Sequence, residues 1–145
     1  QYKTGGGALN GGKPYMLNLK GMVFPNAYGL SPSSKVSVAS GASVDFANVT
    51  SGQVLSKIEV DCTAGSGAIA NFTVAESGTI YLKNVSSLLA FQTASIPVTL
   101  TGVVAPSRFS GWKVSADGTV QRNYYLQYRD GGLYLEPDGT VVVIR

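Results

Sequence analysis

The sequence predicts an all-β protein, a β-solenoid-like stack of short strands closed by a C-terminal antiparallel meander, with a β-sandwich or jelly roll as the alternative. Three observations carry that expectation. First, composition favours strands and turns. Of 145 residues, 44% are hydrophobic, 18 are glycine and only 13% are charged, where ordinary soluble domains carry about 25% charged residues. Second, apolar and polar residues alternate along much of the chain, the period of a half-buried strand, while no segment shows a convincing helical period. Third, residues 36–49 (VSVASGASVDFANV) align without a gap with residues 72–85 (FTVAESGTIYLKNV) at an offset of 36. Internal repeats of this kind belong to stacked architectures.

The length fits one domain with a sizeable core. Residues 1–13 (QYKTGGGALNGGK) form a Gly-rich arm with five glycines, costly to order because Gly loses the most backbone freedom. Pro14 ends the arm, and Tyr15-Met16-Leu17-Asn18-Leu19 follows as a strand, extended by Met22-Val23-Phe24. Tyr2, Gly5, Gly6, Gly7, Tyr15, Leu17 and Leu19 are therefore the candidate assembly arm, a segment that adds a strand to a neighbouring subunit. Residues 14–145 form a single all-β domain, with repeat-like strands over 14–105 and an aromatic-rich terminal meander over 106–145.

Within the repeat-like region each copy reads as strand, tight turn, strand, broken at Ser40-Gly41 and at Ser77-Gly78. Val54-Leu55 and Lys57 to Val60 supply a strand between the copies. Ile96 to Thr101 supplies one after them, which starts at Pro97 or lies on an edge because Pro cannot donate to a ladder. The best helical segment, Leu82 to Phe91, supports a single turn at most. In the last third, Asp-Gly pairs at 117–118, 130–131 and 138–139 are hairpin signals. They organise Trp112 to Val114, Tyr124 to Tyr128, Leu133 to Leu135 and Val141 to Ile144 into a four-strand meander.

The repeat, with VASGASVDFANV and VAESGTIYLKNV, resembles the autotransporter-associated β-strand repeats of large bacterial surface proteins. PSRFSGWKVSADG followed by YYLQYRDGGLYLEPDGTVVVIR resembles the tail found after those repeats, a Trp-containing strand, a turn, a strand into Asp-Gly and a final apolar strand ending in Arg. The likeness covers roughly residues 34–145. It implies an extracellular β-solenoid with a surface or passenger role and no catalytic residues. The chain differs from such proteins in being one short unit.

The chemistry points the same way. The sequence contains no histidine, which excludes Ser-His-Asp, Cys-His and His-based metal sites. Cys62 is the sole cysteine; it precludes an internal disulfide framework and reads as a small buried hydrophobe. Glu59 and Asp61 share one face of a strand, as a cation site or, by preference, a solvated face. No catalytic, cofactor or metal residues are assigned and no cofactor is expected. Net charge is +3 with the charges scattered, against nucleic-acid binding. No apolar run reaches the length of a membrane span.

Trp112, Tyr124, Tyr125 and Tyr128 are the candidate ligand or interface aromatics, which stack on sugar rings or pack in a core. Asn48, Asn71 and Asn84 open Asn-X-Ser/Thr sequons, read as chance in a Ser/Thr-rich chain. The chain starts with Gln1 rather than Met, which fits either a mature secreted chain after leader removal or a boundary chosen within a longer chain. The expected function is an extracellular or cell-surface structural or adhesive protein, a subunit or terminal domain of a self-assembling structure such as a filament. Self-association is the expected partnership. The alternative is a carbohydrate-binding module, with a cell-surface polysaccharide as partner.

Overall fold

The computed structural model describes residues 29–137 and, ahead of them, the backbone of two strands, 16–19 and 22–23. The Gly-rich arm and the strand expected at 141–144 lie outside the described residues. The protein is all-β. Its strands are β1 (Met16–Leu19), β2 (Met22–Val23), β3 (Lys35–Val38), β4 (Ser43–Asp45), β5 (Val54–Asp61), β6 (Gly67–Ala70), β7 (Thr73–Lys83), β8 (Val98–Thr101), β9 (Trp112–Ala116), β10 (Thr119–Val120), β11 (Tyr124–Arg129) and β12 (Gly132–Pro137). The described residues contain no α-helix. A 3-10 turn at Leu89–Gln92 falls inside the segment expected to give one turn at most.

The strands form two mixed six-stranded sheets, ordered β1-β3-β5-β7-β9-β10 and β11-β12-β8-β6-β4-β2. From β1 to β9 the chain switches sheet at every strand, and each strand pairs in parallel with the strand two places before it. Among the described residues, antiparallel strand pairs enter only with the C-terminal third, as β9 with β10, β11 with β12, and β12 with β8.

In-register parallel pairing builds columns of like residues. Val36, Ile58, Ile80 and Val114 occupy one register position across four strands and are 0–1% exposed. Val44, Ile69 and Leu100 do the same in the other sheet. These columns meet in one hydrophobic cluster between the sheets. Burying each such side chain stabilises by about 1.5–3 kcal/mol.

Two expectations about organisation are corrected. The offset of 36 is not the structural step. Lys35 pairs with Lys57 and Lys57 with Thr79, so the step there is 22 residues and Val36 corresponds to Ile80, two steps on, rather than to Phe72. Residues 36–49 turn at Ser40-Gly41 from β3 into β4 of the opposite sheet, whereas most of 72–85 is the single strand β7. Ser77-Gly78 marks an irregularity inside that strand. Pairing moves from Leu55–Val74 to Lys57–Thr79, two residues on β5 against five on β7. Alternation does not distinguish a turn from a bulge, since small residues serve both. A side chain at Gly78 would run into the Ser56 carbonyl and the Trp112 ring.

The four-strand meander is likewise replaced by two hairpins in different sheets. The Asp117-Gly118 and Asp130-Gly131 turns form where expected, with positive φ at both residues of each pair (48° and 88°; 52° and 73°), the geometry of tight hairpin turns. Between them the chain changes sheet. β9 is drawn to the first sheet because Val114 completes its apolar column, while β11 and β12 bury Leu126, Leu133 and Leu135 against the second. Hairpin signals fix local pairs and leave the choice of sheet to packing. β8 begins directly after Pro97, as anticipated.

Candidate functional site

The alternation that sends Val36, Ile58, Ile80 and Val114 inward puts Lys35, Lys57, Thr79 and Lys113 in one row on the outer face of the first sheet. The next outward row contains Ser37, Glu59, Tyr81 and Ser115. Glu59 is only 9% exposed. Its carboxylate lies 3.5 Å from Lys35 Nζ and 3.9 Å from Lys83 Nζ, and the Lys35 ammonium also sits 4.5 Å from the Tyr81 ring centre. The solvated acidic face expected here therefore does not form at Glu59, because β3 and β7 flank β5 and each brings a lysine to it.

Asp61, the other acid of the pair, belongs to a corner. Asp61 Oδ1 accepts from Asn84 Nδ2 at 3.0 Å, Thr63 Oγ1 at 2.7 Å and Thr63 N–H at 3.0 Å. These donors, Asn84 foremost, hold its carboxyl down at about 2, below the ordinary 3.8. The chain of contacts continues: the N–H groups of Asn84 and Val85 donate to the two Asp117 oxygens at 2.6 and 3.1 Å. Asn84 and Asp117 both take positive φ, 59° and 48°, tolerated by short polar side chains. At the opposite corner Asn71, φ 62°, donates to Asp45 Oδ1 at 2.8 Å.

Sequence reasoning missed these Asn–Asp contacts. The available signal was an Asn placed just past a strand end with an acid one step earlier. The same geometry sorts the sequons. Asn71 and Asn84 have their amide nitrogens engaged, while Asn48 is exposed in a turn. Gln53 was also missed. It is 2% exposed and exchanges hydrogen bonds with the Leu30 backbone at 2.8 and 3.1 Å, tying the start of the described domain to β5.

Cys62 is half-buried against the core, and burial, with Asp61 and Asp117 adding to it, pushes its thiol up to about 11. Of the candidate aromatics, Trp112 is 6% exposed. Its Nε1–H donates to Ala75 O at 2.8 Å, and its ring meets Phe109 edge-to-face at 5.3 Å. Tyr124 and Tyr128 pack against the core. Tyr125 faces outward, with the Arg108 guanidinium 3.8 Å from its ring centre; Arg129 stacks in the same way on Tyr134 at 3.7 Å. Arg108, Lys113, Arg122, Tyr124 and Tyr125 line a cleft of about 260 Å³ at the end of the lysine row. Of the assembly-arm residues, Leu17 and Leu19 lie in β1, which pairs with β3 of its own chain; Tyr2, Gly5, Gly6, Gly7 and Tyr15 lie outside the described residues.

No helix among the described residues is long and apolar enough to cross a membrane. No family model, curated protein or solved structure matches the chain.

Proposed function

We propose that this chain is a non-catalytic structural domain of an extracellular or cell-surface assembly, built as a β-solenoid, and that it closes one end of a longer stack. The observation that carries the reading is the difference between the two ends. At the C-terminal end, residues 107–109 lie along the outer edge of β11: Tyr128 N–H donates to Ser107 O at 2.8 Å and Phe109 N–H to Leu126 O at 3.0 Å. The first sheet ends on β10, a strand of only two residues. At the other end, no strand among the described residues pairs with the outer edges of β1 and β2. An unpaired edge is a template for another strand, and a short or covered one is not.

The solenoid reading over a sandwich is supported by the parallel pairing and the change of sheet at every strand. Sandwich topologies are built from antiparallel Greek-key connections. A surface role agrees with the low charge content and with the resemblance to autotransporter-associated repeats. A non-catalytic role agrees with the absence of histidine from the sequence and with the use of Glu59, Asp61 and Asp117 in holding neighbouring strands together.

Light scattering and negative-stain microscopy over a concentration series test the reading. Monomers or closed dimers at every concentration are expected, because growth is available at one end only. Open-ended filaments would contradict it.

A further inference from the structure

We propose that the lysine row on the outer face of the first sheet, continued into the cleft at Arg122, binds an anionic polysaccharide. In sequence the cations concerned, Lys35, Lys57, Lys113 and Arg122, are scattered over almost 90 residues. The parallel register draws the three lysines into one line. Adjacent strands lie about 4.8 Å apart, so Lys57 stands one strand from Lys35 and Lys113 two strands further on. Lys113 then lines the cleft together with Arg122 and the Arg108–Tyr125 stack.

The lysine row itself holds no acid. Glu59, in the next row, is 9% exposed beneath Lys35 and Lys83, which are 32% and 51% exposed; Asp61 lies at the C-terminal end of β5, where it accepts from Asn84 and Thr63; and Glu76 is exposed in the irregular part of β7. Among the described residues, none of Lys57, Lys113 and Arg122 has an ion-pair partner. Like charges aligned at strand spacing repel one another, and a linear polyanion laid across the strands relieves that repulsion while releasing its own counterions.

The face favours a sugar chain over a nucleic acid. Bases stack on bare aromatic surfaces, and here Tyr81 and Tyr125 each carry a cation on the ring. Beside the lysines stand hydroxyl side chains instead, Ser37, Thr79 and Tyr81, all partly exposed, which suit the hydroxyls of a sugar ring.

The test measures binding of oligogalacturonate by calorimetry at several salt concentrations, with uncharged dextran and a single-stranded oligonucleotide as comparison probes. The variants are the triple substitution Lys57→Gln, Lys113→Gln, Arg122→Gln and, separately, Thr79→Lys, which fills the gap in the row. Circular dichroism checks that each is folded. The wild-type protein is expected to bind oligogalacturonate and not dextran. The triple variant should lose about tenfold or more in affinity, and its salt dependence should fall by about one unit of slope per cation removed. Thr79→Lys should tighten binding. Dextran bound as well as oligogalacturonate, the oligonucleotide bound more tightly, no binding of oligogalacturonate, or a folded triple variant with unchanged affinity would each overturn the proposal.

Discussion

The stack from β3 to β8 and the closing region from β9 to β12 solve the same problem by different means. In the stack, small and β-branched residues recur at fixed register positions, and each strand pairs in parallel with its neighbours while its apolar side chains meet those of the opposite sheet. Val36, Ile58 and Ile80 are interchangeable in kind because parallel pairing gives each the same surroundings. In the closing region the outer edge of β11 is covered by residues 107–109, and the first sheet ends on the two-residue β10. The chain reverses direction at two Asp-Gly turns and brings large side chains with specific partners: Trp112 on the Ala75 carbonyl, Phe109 against Trp112, Arg108 on Tyr125 and Arg129 on Tyr134. A repeating interior is sustained by repetition, and its end needs unique contacts.

Substitutions sharpen that contrast. The largest effect is expected at Trp112→Ala, which removes a buried indole and its hydrogen bond and should cost about 3–5 kcal/mol in urea unfolding. Ile80→Ala, in the middle of the repeating column, should cost about 2–5 kcal/mol. The two should differ in kind as well as size. Ile80→Val should recover most of the column's stability, whereas Trp112→Phe should leave the Ala75 carbonyl without its indole donor and remain measurably destabilised.

A smaller effect is expected at the corner. Asn84→Ala loses the contact to Asp61 and forces a Cβ-bearing residue without a polar side chain into the left-handed region, for a cost of about 1–3 kcal/mol. Asn84→Gly should recover the backbone part alone. Because the folded-state pKa of Asp61 is depressed, its contribution is present above 3.8 and is lost as pH falls toward about 2. Asn84→Ala should therefore flatten the acid limb of the stability profile over that interval. If the limb is unchanged, Asp61 is not held by Asn84.

Cys62 should show the smallest effect. A half-buried thiol pushed up to about 11 reacts slowly at neutral pH, so alkylation of the folded protein should lag far behind that of the protein in denaturant. Rapid labelling in the native state would show that this corner opens.

Local features were legible in the sequence. The Asp117-Gly118 and Asp130-Gly131 turns, the strand opening after Pro97 and most described strand positions follow from backbone preferences that act over a few residues; the Asp138-Gly139 pair lies outside the described residues. The step between strands was not legible. The offset of 36 matched apolar residue to apolar residue, but Ser40-Gly41 turns a corner while Ser77-Gly78 sits inside β7, and small residues look alike in both settings. The lysine row escaped notice for the same reason, because Lys35, Lys57 and Lys113 become neighbours only once the step is known. Core packing, one of the two readings the sequence offered for the four aromatics, is where Trp112, Tyr124 and Tyr128 are found, while Tyr125, next to Tyr124 on the same strand, faces the opposite way.

Cysteine pairing tests the central claim, the parallel step of 22 residues along β3, β5 and β7, most directly. In a Cys62→Ala background, the pairs Lys35→Cys with Lys57→Cys and Lys57→Cys with Thr79→Cys place their Cα atoms about 4.8 Å apart, within disulfide range. Both pairs should oxidise to intramolecular disulfides, detected by mass spectrometry after proteolysis. The pair Lys35→Cys with Asn71→Cys, set at the sequence offset of 36, should remain reduced. A disulfide in the last pair, or none in the first two, would contradict the account.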